Sequence, residues 1–223
     1  MLECGDGDAM VTGLTRNYYK TLQDVRTVIS DEKGKRVFGM SIMIAKGRTV
    51  FISDTTVNTK PTPEELADIA IQTAEKAREL GHIPRVALLS FSNFGNPKHE
   101  MAERVRDAVA ILDKRNVDFE YEGEIAADVA LNPELMKLYP FCRLSAPANV
   151  LIMPALHSAN IASSLLQELG GGSIIGPVLT GLEKSAQIMP MGVTSNEILN
   201  FAALAAVDAI EDEEEQIKEK QAK

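Results

Sequence analysis

The 223-residue sequence predicts an α/β fold, with a mostly parallel sheet and helices on both faces. Three observations predict it. Uninterrupted apolar runs at Asn149 to Met153 and Ile174 to Leu179 have the character of strands buried on both faces. Segments with apolar residues at helical spacing separate such runs. The two kinds alternate along the chain, which is the order that parallel strands joined by helical crossovers require.

The opening LECGDGDAMVTG reads as an apolar, glycine-rich turn with no element before it, as if the chain started inside a larger fold. Within it Gly5-Asp6-Gly7-Asp8 reads as a turn rather than a ligand loop, with Gly supplying unusual dihedrals and Asp bonding nearby backbone. Residues 36–55 read as a hairpin whose two β-rich arms flank Lys46-Gly47. Thr62-Pro63-Glu64-Glu65 then places an N-cap, a Pro at the first helical position and a Glu three residues on, the signature of a helix start. Leu66, Ile69, Ala70, Thr73, Ala77 and Leu80 recur at helical spacing up to Gly81, which suits a left-handed C-terminal position.

Val86 to Phe91 reads as a short strand, and Met101, Val105, Ala108, Val109 and Leu112 mark an amphipathic helix after it. A weaker strand follows at Phe119 to Ile125, then a short helix at Pro133 to Leu138 and the run Asn149 to Met153. Ile161, Leu165, Leu166 and Leu169 predict the next helix, ended by Gly170-Gly171-Gly172, before the strand at Ile174 to Leu179. The last helix opens with a second capping box, Thr194-Ser195-Asn196-Glu197. Leu199, Phe201, Leu204 and Val207 make it apolar on most sides, so it calls for neighbours all round. Residues 211–223 are an acidic helical tail, read as solvated and fraying.

Composition narrows the function. A net charge of -9 and 5% aromatic residues, with no Trp, argue against nucleic acid as a partner. Cys4 and Cys142 form no CxxC, and His82, His99 and His157 show no metal-ligand spacing; the two flanking predicted helices, His82 and His99, read as solvent-facing. This reads as a reduced, cytoplasmic protein without a resident metal. No run approaches the roughly 20 apolar residues that cross a bilayer, so no membrane association is expected.

Ligands of α/β sheets sit at the C-terminal ends of strands, so the segments after Phe91, Met153 and Ile175 are where chemistry is expected. Ser90, Ser92 and Asn93 offer hydroxyl and amide donors there; alone that signal is weak. No GxSxG elbow surrounds them, which disfavours acyl-enzyme hydrolysis. NVLIMPALHSANIA reads as strand, Pro break and helix N-terminus, with Ser158 as cap and Asn160 beside it. Free N–H groups at such an end suit an anion; the same pattern equally describes an ordinary strand-to-helix junction. Gly176, Pro177, Thr180 and Gly181 repeat this logic, glycine permitting a ligand to approach backbone closely. Phe91 to Asn96, Asn160, and Gly176 to Gly181 are expected to converge on one pocket.

Together GDGDAMVTG, SDTTVNTKPTPEELADIAI, ANVLIMPALHSANIA and GPVLTGLEKSAQIMPMGVTSNEILN resemble the phosphate acetyl/butyryltransferase family, in family order across nearly the whole chain. The resemblance implies two α/β lobes of the isocitrate/isopropylmalate dehydrogenase-like phosphotransacetylase fold with an acyl-CoA cleft between them. It makes residues 36–193 the second lobe, and residues 1–35 and 194–223 remnants of a first lobe truncated at its N-terminus.

Active members of the family carry a Ser-Arg pair before the Gly of the last motif, a downstream carboxylate proposed as base, and an upstream Arg. Here Pro190 and Met191 stand before Gly192, the carboxylate position is Glu197 and the upstream position is Glu168. Losing a charge-assisted bond to phosphate removes roughly 1.5–3 kcal/mol, and a misplaced base costs on the order of 10²- to 10⁴-fold. Phosphate as a substrate is therefore hard to defend, whereas binding of acetyl-CoA or CoA by Ser90, Ser92, Asn93, Ser158, Asn160, Gly176, Pro177, Thr180, Gly181, Pro190 and Gly192 survives.

The pattern resembles the transferase-like domain appended to bacterial NADP-dependent malic enzymes. That resemblance implies an acetyl-CoA-sensing module in a homo-oligomer, with malate oxidation, NADP and a divalent metal confined to a malic-enzyme domain elsewhere in the parent chain. The alternative is a divergent phosphate acetyltransferase that still turns over.

Overall fold

In the computed structural model, which describes residues 1–221, local signals and elements coincide over much of the chain. After a 3-10 turn at Leu2–Cys4 come β1 (Ala9–Gly13), α1 (Tyr18–Arg26), β2 (Phe38–Ala45), β3 (Arg48–Ser53), α2 (Pro63–Glu79), β4 (Arg85–Leu89) and α3 (Glu100–Arg115). They are followed by β5 (Glu120–Ile125), α4 (Ala127–Leu131), α5 (Pro133–Met136), β6 (Val150–Ile152), α6 (Leu156–Leu169), β7 (Ser173–Thr180), β8 (Ser185–Met189) and α7 (Ser195–Gln221). The chain forms two compact units, one of residues 40–174 and one of residues 1–39 with those from Ile175 onward. Residues 175–193, expected with the lobe at 36–193, thus fall in the unit that holds β1.

Residues 40–174 are built on a mixed sheet of order β5-β4-β6-β3-β2-β7, whose last strand begins in this unit and runs on into the other. β2 and β3 form the expected antiparallel hairpin. Its turn places Lys46 at φ 52 and Gly47 at φ 72, the two positive angles of a turn whose twist matches the strands. β3, β6, β4 and β5 run parallel to one another. Their C-terminal ends therefore lie on one edge.

α2 starts as expected: Thr62 Oγ1 accepts from the Glu65 amide at 3.2 Å, and the Glu65 carboxylate accepts from the Thr62 amide at 2.8 Å. Leu66, Ile69, Ala70, Thr73 and Ala77 are buried on one face of α2, and Val105, Ala108, Val109 and Leu112 on one face of α3. Met101, expected on that face, is exposed. Val86, Ala87 and Leu88 of β4 are inaccessible, which is the burial on both faces that an apolar central strand needs. Each such Leu or Ile contributes about 1.5–3 kcal/mol by burial.

The apolar residues of α6 do not form the expected core face. Only Ala159 of this helix is buried, while Ile161, Leu165 and Leu169 are exposed. The three are spaced by four, which puts them together on the face turned away from the sheet; the inner face uses Ala159, with Ala162 and Leu166 partly buried against the core.

In the second unit β1 and β8 pair in parallel, from Ala9 opposite Ser185 to Gly13 opposite Met189. Of the stretch read as a turn, Gly5 to Asp8 stays outside any strand, with Gly5 at φ 77, while Ala9–Gly13 is a strand. It was not readable locally because it exists only through a partner at the far end of the chain. A Cβ at Gly13, whose φ is 118, would stand 2.3 Å from the Met189 carbonyl oxygen, so only glycine permits this pairing. α7 packs Phe201 and Ala205 inward. Leu199, expected to need cover, is 67% exposed, so the helix buries one face and not all sides. Residues 222–223 of the acidic tail lie outside the described residues.

Candidate functional site

At the C-terminal edge of the parallel strands, four loops meet in residues 40–174. β3 ends in Ser53 and runs into Asp54, both buried. Asp54 accepts backbone bonds from Thr56 (2.8 Å), Val57 (3.1 Å) and Asn58 (2.5 Å), and one from Asn58 Nδ2 (2.7 Å). The carboxylate thereby closes the loop 54–58 upon itself. The Leu156 amide donates to the Thr59 carbonyl at 3.3 Å and the Met153 amide to the Ser53 carbonyl at 2.6 Å, joining this loop to the β6–α6 junction.

The second loop follows β4. That strand stops at Leu89, so Phe91 lies outside it and is 58% exposed. Ser92 is buried, and its hydroxyl donates to Glu124 Oε1 at 2.7 Å. The same oxygen accepts from the Gly95 amide (2.8 Å) and Arg106 Nη1 (2.9 Å). Asn93 Oδ1 accepts from the Ala126 amide at 2.7 Å. Ser92 thus serves the loop's interior, against its expected role as a ligand donor. The half-buried Ser90 and the amide Nδ2 of Asn93 remain as donors on this loop.

The third and fourth loops flank α6 and α4. The N-cap of α6 is Ala155, not Ser158, and the Ser158 hydroxyl donates back to the Ala155 carbonyl at 2.7 Å. The expected side-chain cap is therefore absent, because the helix begins at Leu156, three residues earlier than a Ser158 cap requires. Asn160 is exposed one turn on. Arg104 of α3 donates Nη2 to the Pro154 carbonyl at 2.7 Å, while its Nε and Nη1 are buried without a partner among the described residues. Neither Arg104 nor the Glu124–Arg106 pair was singled out by local pattern. Glu168 is exposed near the end of α6.

The remaining candidates lie in the other unit. Pro177 and Thr180 are half-buried in β7, and the Thr180 hydroxyl is buried without a partner among the described residues. Gly176 has φ 136. Gly181 has φ 88, and a Cβ there would stand 2.1 Å from the Arg36 carbonyl oxygen. At Gly181 the chain's own backbone makes a close approach, which by itself requires the glycine. Pro190, Met191 and Gly192 form the turn between β8 and α7. Met191 is 69% exposed, and the space around the exposed Gly192 is open.

Glu197 is the third residue of α7. Its carboxylate accepts from the Thr194 amide at 2.6 Å and the Thr194 hydroxyl at 2.7 Å, and Thr194 Oγ1 accepts from the Glu197 amide at 3.3 Å. The Thr194 backbone bond, then the hydroxyl bond, hold the Glu197 carboxyl below its usual value against a small desolvation. A carboxylate so stabilised is a capping group and a poor proton acceptor. Of the histidines, His82 is half-buried edge-on against Phe51, with ring centroids 5.3 Å apart, where a solvent-facing side chain was expected. His99 is exposed and caps α3 through Nδ1. Among the described residues no group of three His, Cys, Asp or Glu could hold a metal ion, and no helix is long and apolar enough to cross a membrane.

Comparison with known proteins agrees with this architecture. The family model for phosphate acetyl/butaryl transferase matches residues 1–206. The NADP-dependent malic enzyme of Rhizobium meliloti is 57% identical over 209 residues, which are 94% of this chain and 28% of that protein. The phosphate acetyltransferase of Clostridium acetobutylicum is 37% identical over 93% of this chain and 65% of its own length. A phosphotransacetylase from Streptococcus pyogenes superposes with a TM-score of 0.89 at 32% identity, covering 94% of this chain and 65% of that structure. The chain thus spans under a third of such malic enzymes and about two thirds of such transferases. By sequence and by fold, the chain belongs to the phosphate acetyl/butaryl transferase family.

Proposed function

We propose that this chain is the acyl-CoA-binding regulatory module of an NADP-dependent malic enzyme and is degenerate for acetyl transfer to phosphate. One observation carries the reading. The turn before α7 presents Pro190 and an exposed Met191 where active family members place a Ser-Arg pair. Neither side chain can donate a hydrogen bond to an oxyanion. The exposed Glu168 supplies a negative charge where a second Arg is expected, and Glu197 is engaged by Thr194.

Acetyl-CoA binding does not need those groups. The thioester methyl and pantetheine arm take apolar walls, and the nucleotide phosphates take backbone N–H groups and a guanidinium. The spare donors of Arg104 are of that kind, and Ser90 Oγ and Asn93 Nδ2 add a hydroxyl and a carboxamide donor. NADP, a divalent metal and malate oxidation would belong to a malic-enzyme segment of a longer parent, in which this module would reside as part of a cytoplasmic homo-oligomer.

Arg104 also favours a second reading, a divergent phosphate acetyltransferase, because a guanidinium with two unpartnered donors is a phosphate ligand in waiting. Calorimetry with acetyl-CoA, in the presence and absence of millimolar phosphate, and a coupled assay for acetyl phosphate separate the readings. Acetyl-CoA binding without phosphate competition and without turnover supports the regulatory module. Strong phosphate competition or robust turnover supports the transferase. No acetyl-CoA binding rejects the module.

A further inference from the structure

We propose that Glu124 is a positioning residue for the acyl-CoA site: it sets the shape of the loop 90–96 and thereby decides which of that loop's donors face a ligand. The inference rests on the acyl-CoA reading above, but its physical basis is independent of it. Glu124 is inaccessible to solvent at the end of β5, and burying a carboxylate is costly unless its bonds are good. Three donors converge on Oε1: the Ser92 hydroxyl, the Gly95 amide and Arg106. Oε2 is buried without a partner among the described residues. An apolar residue here, with Arg106 replaced to match, would be a well-packed alternative of similar stability. What it could not do is draw a hydroxyl and an amide from opposite halves of one loop onto a single point.

The consequences for the loop are specific. The Phe94 amide donates to the main-chain carbonyl of the same Glu124 at 3.0 Å. Phe94 is thereby held at φ 50, a left-handed conformation that a bulky side chain avoids and that persists only where surrounding contacts impose it. Its ring packs on Tyr139 and Phe141, with centroids 5.0 Å and 4.9 Å away. With Ser92 and Gly95 turned inward, and Asn93 Oδ1 taken by Ala126, the side-chain donors left on the loop are Ser90 Oγ and the amides of Asn93 and the exposed Asn96. Arg106 anchors Glu124 from α3, so the loop's shape is fixed against a helix and not only against the neighbouring strand.

The test combines acetyl-CoA calorimetry on the full chain with amide exchange measured by NMR on the same samples. In Glu124→Gln the side-chain oxygen still accepts from Ser92 and Gly95. This variant is expected to keep the Gly95 amide protected and acetyl-CoA affinity within about threefold of the parent. Glu124→Ala is expected to lose Gly95 protection and at least about tenfold in affinity, with the amides of α2 still protected. Ser92→Ala, which leaves two of the three donors, should fall between; it decides the matter with Glu124→Gln if Glu124→Ala does not fold. Parent-like affinity in Glu124→Ala, or in Ser92→Ala when Gly95 exchange is raised, overturns the positioning role and leaves the acyl-CoA reading intact. An equal loss of affinity in Glu124→Gln and Glu124→Ala overturns it too, because rescue by the conservative variant has failed. Absence of acetyl-CoA binding by the parent chain overturns both.

Discussion

The Ser92 hydroxyl donates to Glu124 Oε1 across 2.7 Å, joining two buried residues 32 positions apart. A serine that follows a strand, and looks from the sequence like a ligand donor, is thus part of the loop's interior. The pairing also makes the neighbouring cation consequential. Arg106 is the guanidinium that compensates Glu124. Arg106→Leu is expected to destabilise the chain by about 2 kcal/mol, less than the 3–5 kcal/mol typical of a fully buried pair because the Arg106 side chain is 32% exposed. The midpoint of urea unfolding checks it, with an unchanged slope as evidence that the fold persists.

The Thr194–Glu197 box predicts a pH dependence. Because the folded carboxyl has a lowered pKa, its contribution is complete above the unfolded value near 4.5 and is lost as pH falls through the folded value. Thr194→Ala removes the hydroxyl bond but keeps the larger backbone one, so it should raise the Glu197 pKa only part of the way toward 4.5, and cost about 1 kcal/mol through loss of the cap. Carboxyl chemical shifts followed through a pH titration report the pKa directly.

Gly181 is constrained by backbone. Because an added Cβ would meet the Arg36 carbonyl at 2.1 Å and the residue sits at φ 88, Gly181→Ala should destabilise by about 2 kcal/mol or more. Thermal unfolding measures it. A neutral result would show that the ends of β2 and β7 separate freely.

Helix α6 and strand β4 offer a contrast in the same unit. Leu165, 54% exposed, should tolerate Leu165→Gln within about 0.5 kcal/mol, whereas Leu88→Ala, at a fully buried position, should cost about 2–5 kcal/mol. Paired denaturation curves distinguish this arrangement from the core face that the apolar spacing of α6 first implies.

Restoring the family's polar groups should act stepwise. Pro190→Ser with Met191→Arg and Glu168→Arg is expected to introduce phosphate binding before any acetyl phosphate forms, because charge alone captures the anion whereas turnover needs a placed base. Phosphate calorimetry and the coupled assay read the two steps separately.

Elements whose signals lie within a few residues were legible from local pattern. The capping boxes at Thr62 and Thr194, the Lys46-Gly47 turn and the apolar stripes of α2 and α3 all appear where local rules put them, because those bonds and periodicities join positions three or four apart. Family motifs likewise marked Pro190 and Met191 without any coordinates. Tertiary structure alone decided the rest. β1 is a strand because β8 lies beside it, Gly181 packs closely on the Arg36 carbonyl, α6 turns three of its large apolar residues outward, and Ser92 serves Glu124. Each of these depends on strand order and register between positions far apart in the chain. Spacing and composition give the faces a segment could bury, but which face finds a partner is set by long-range packing.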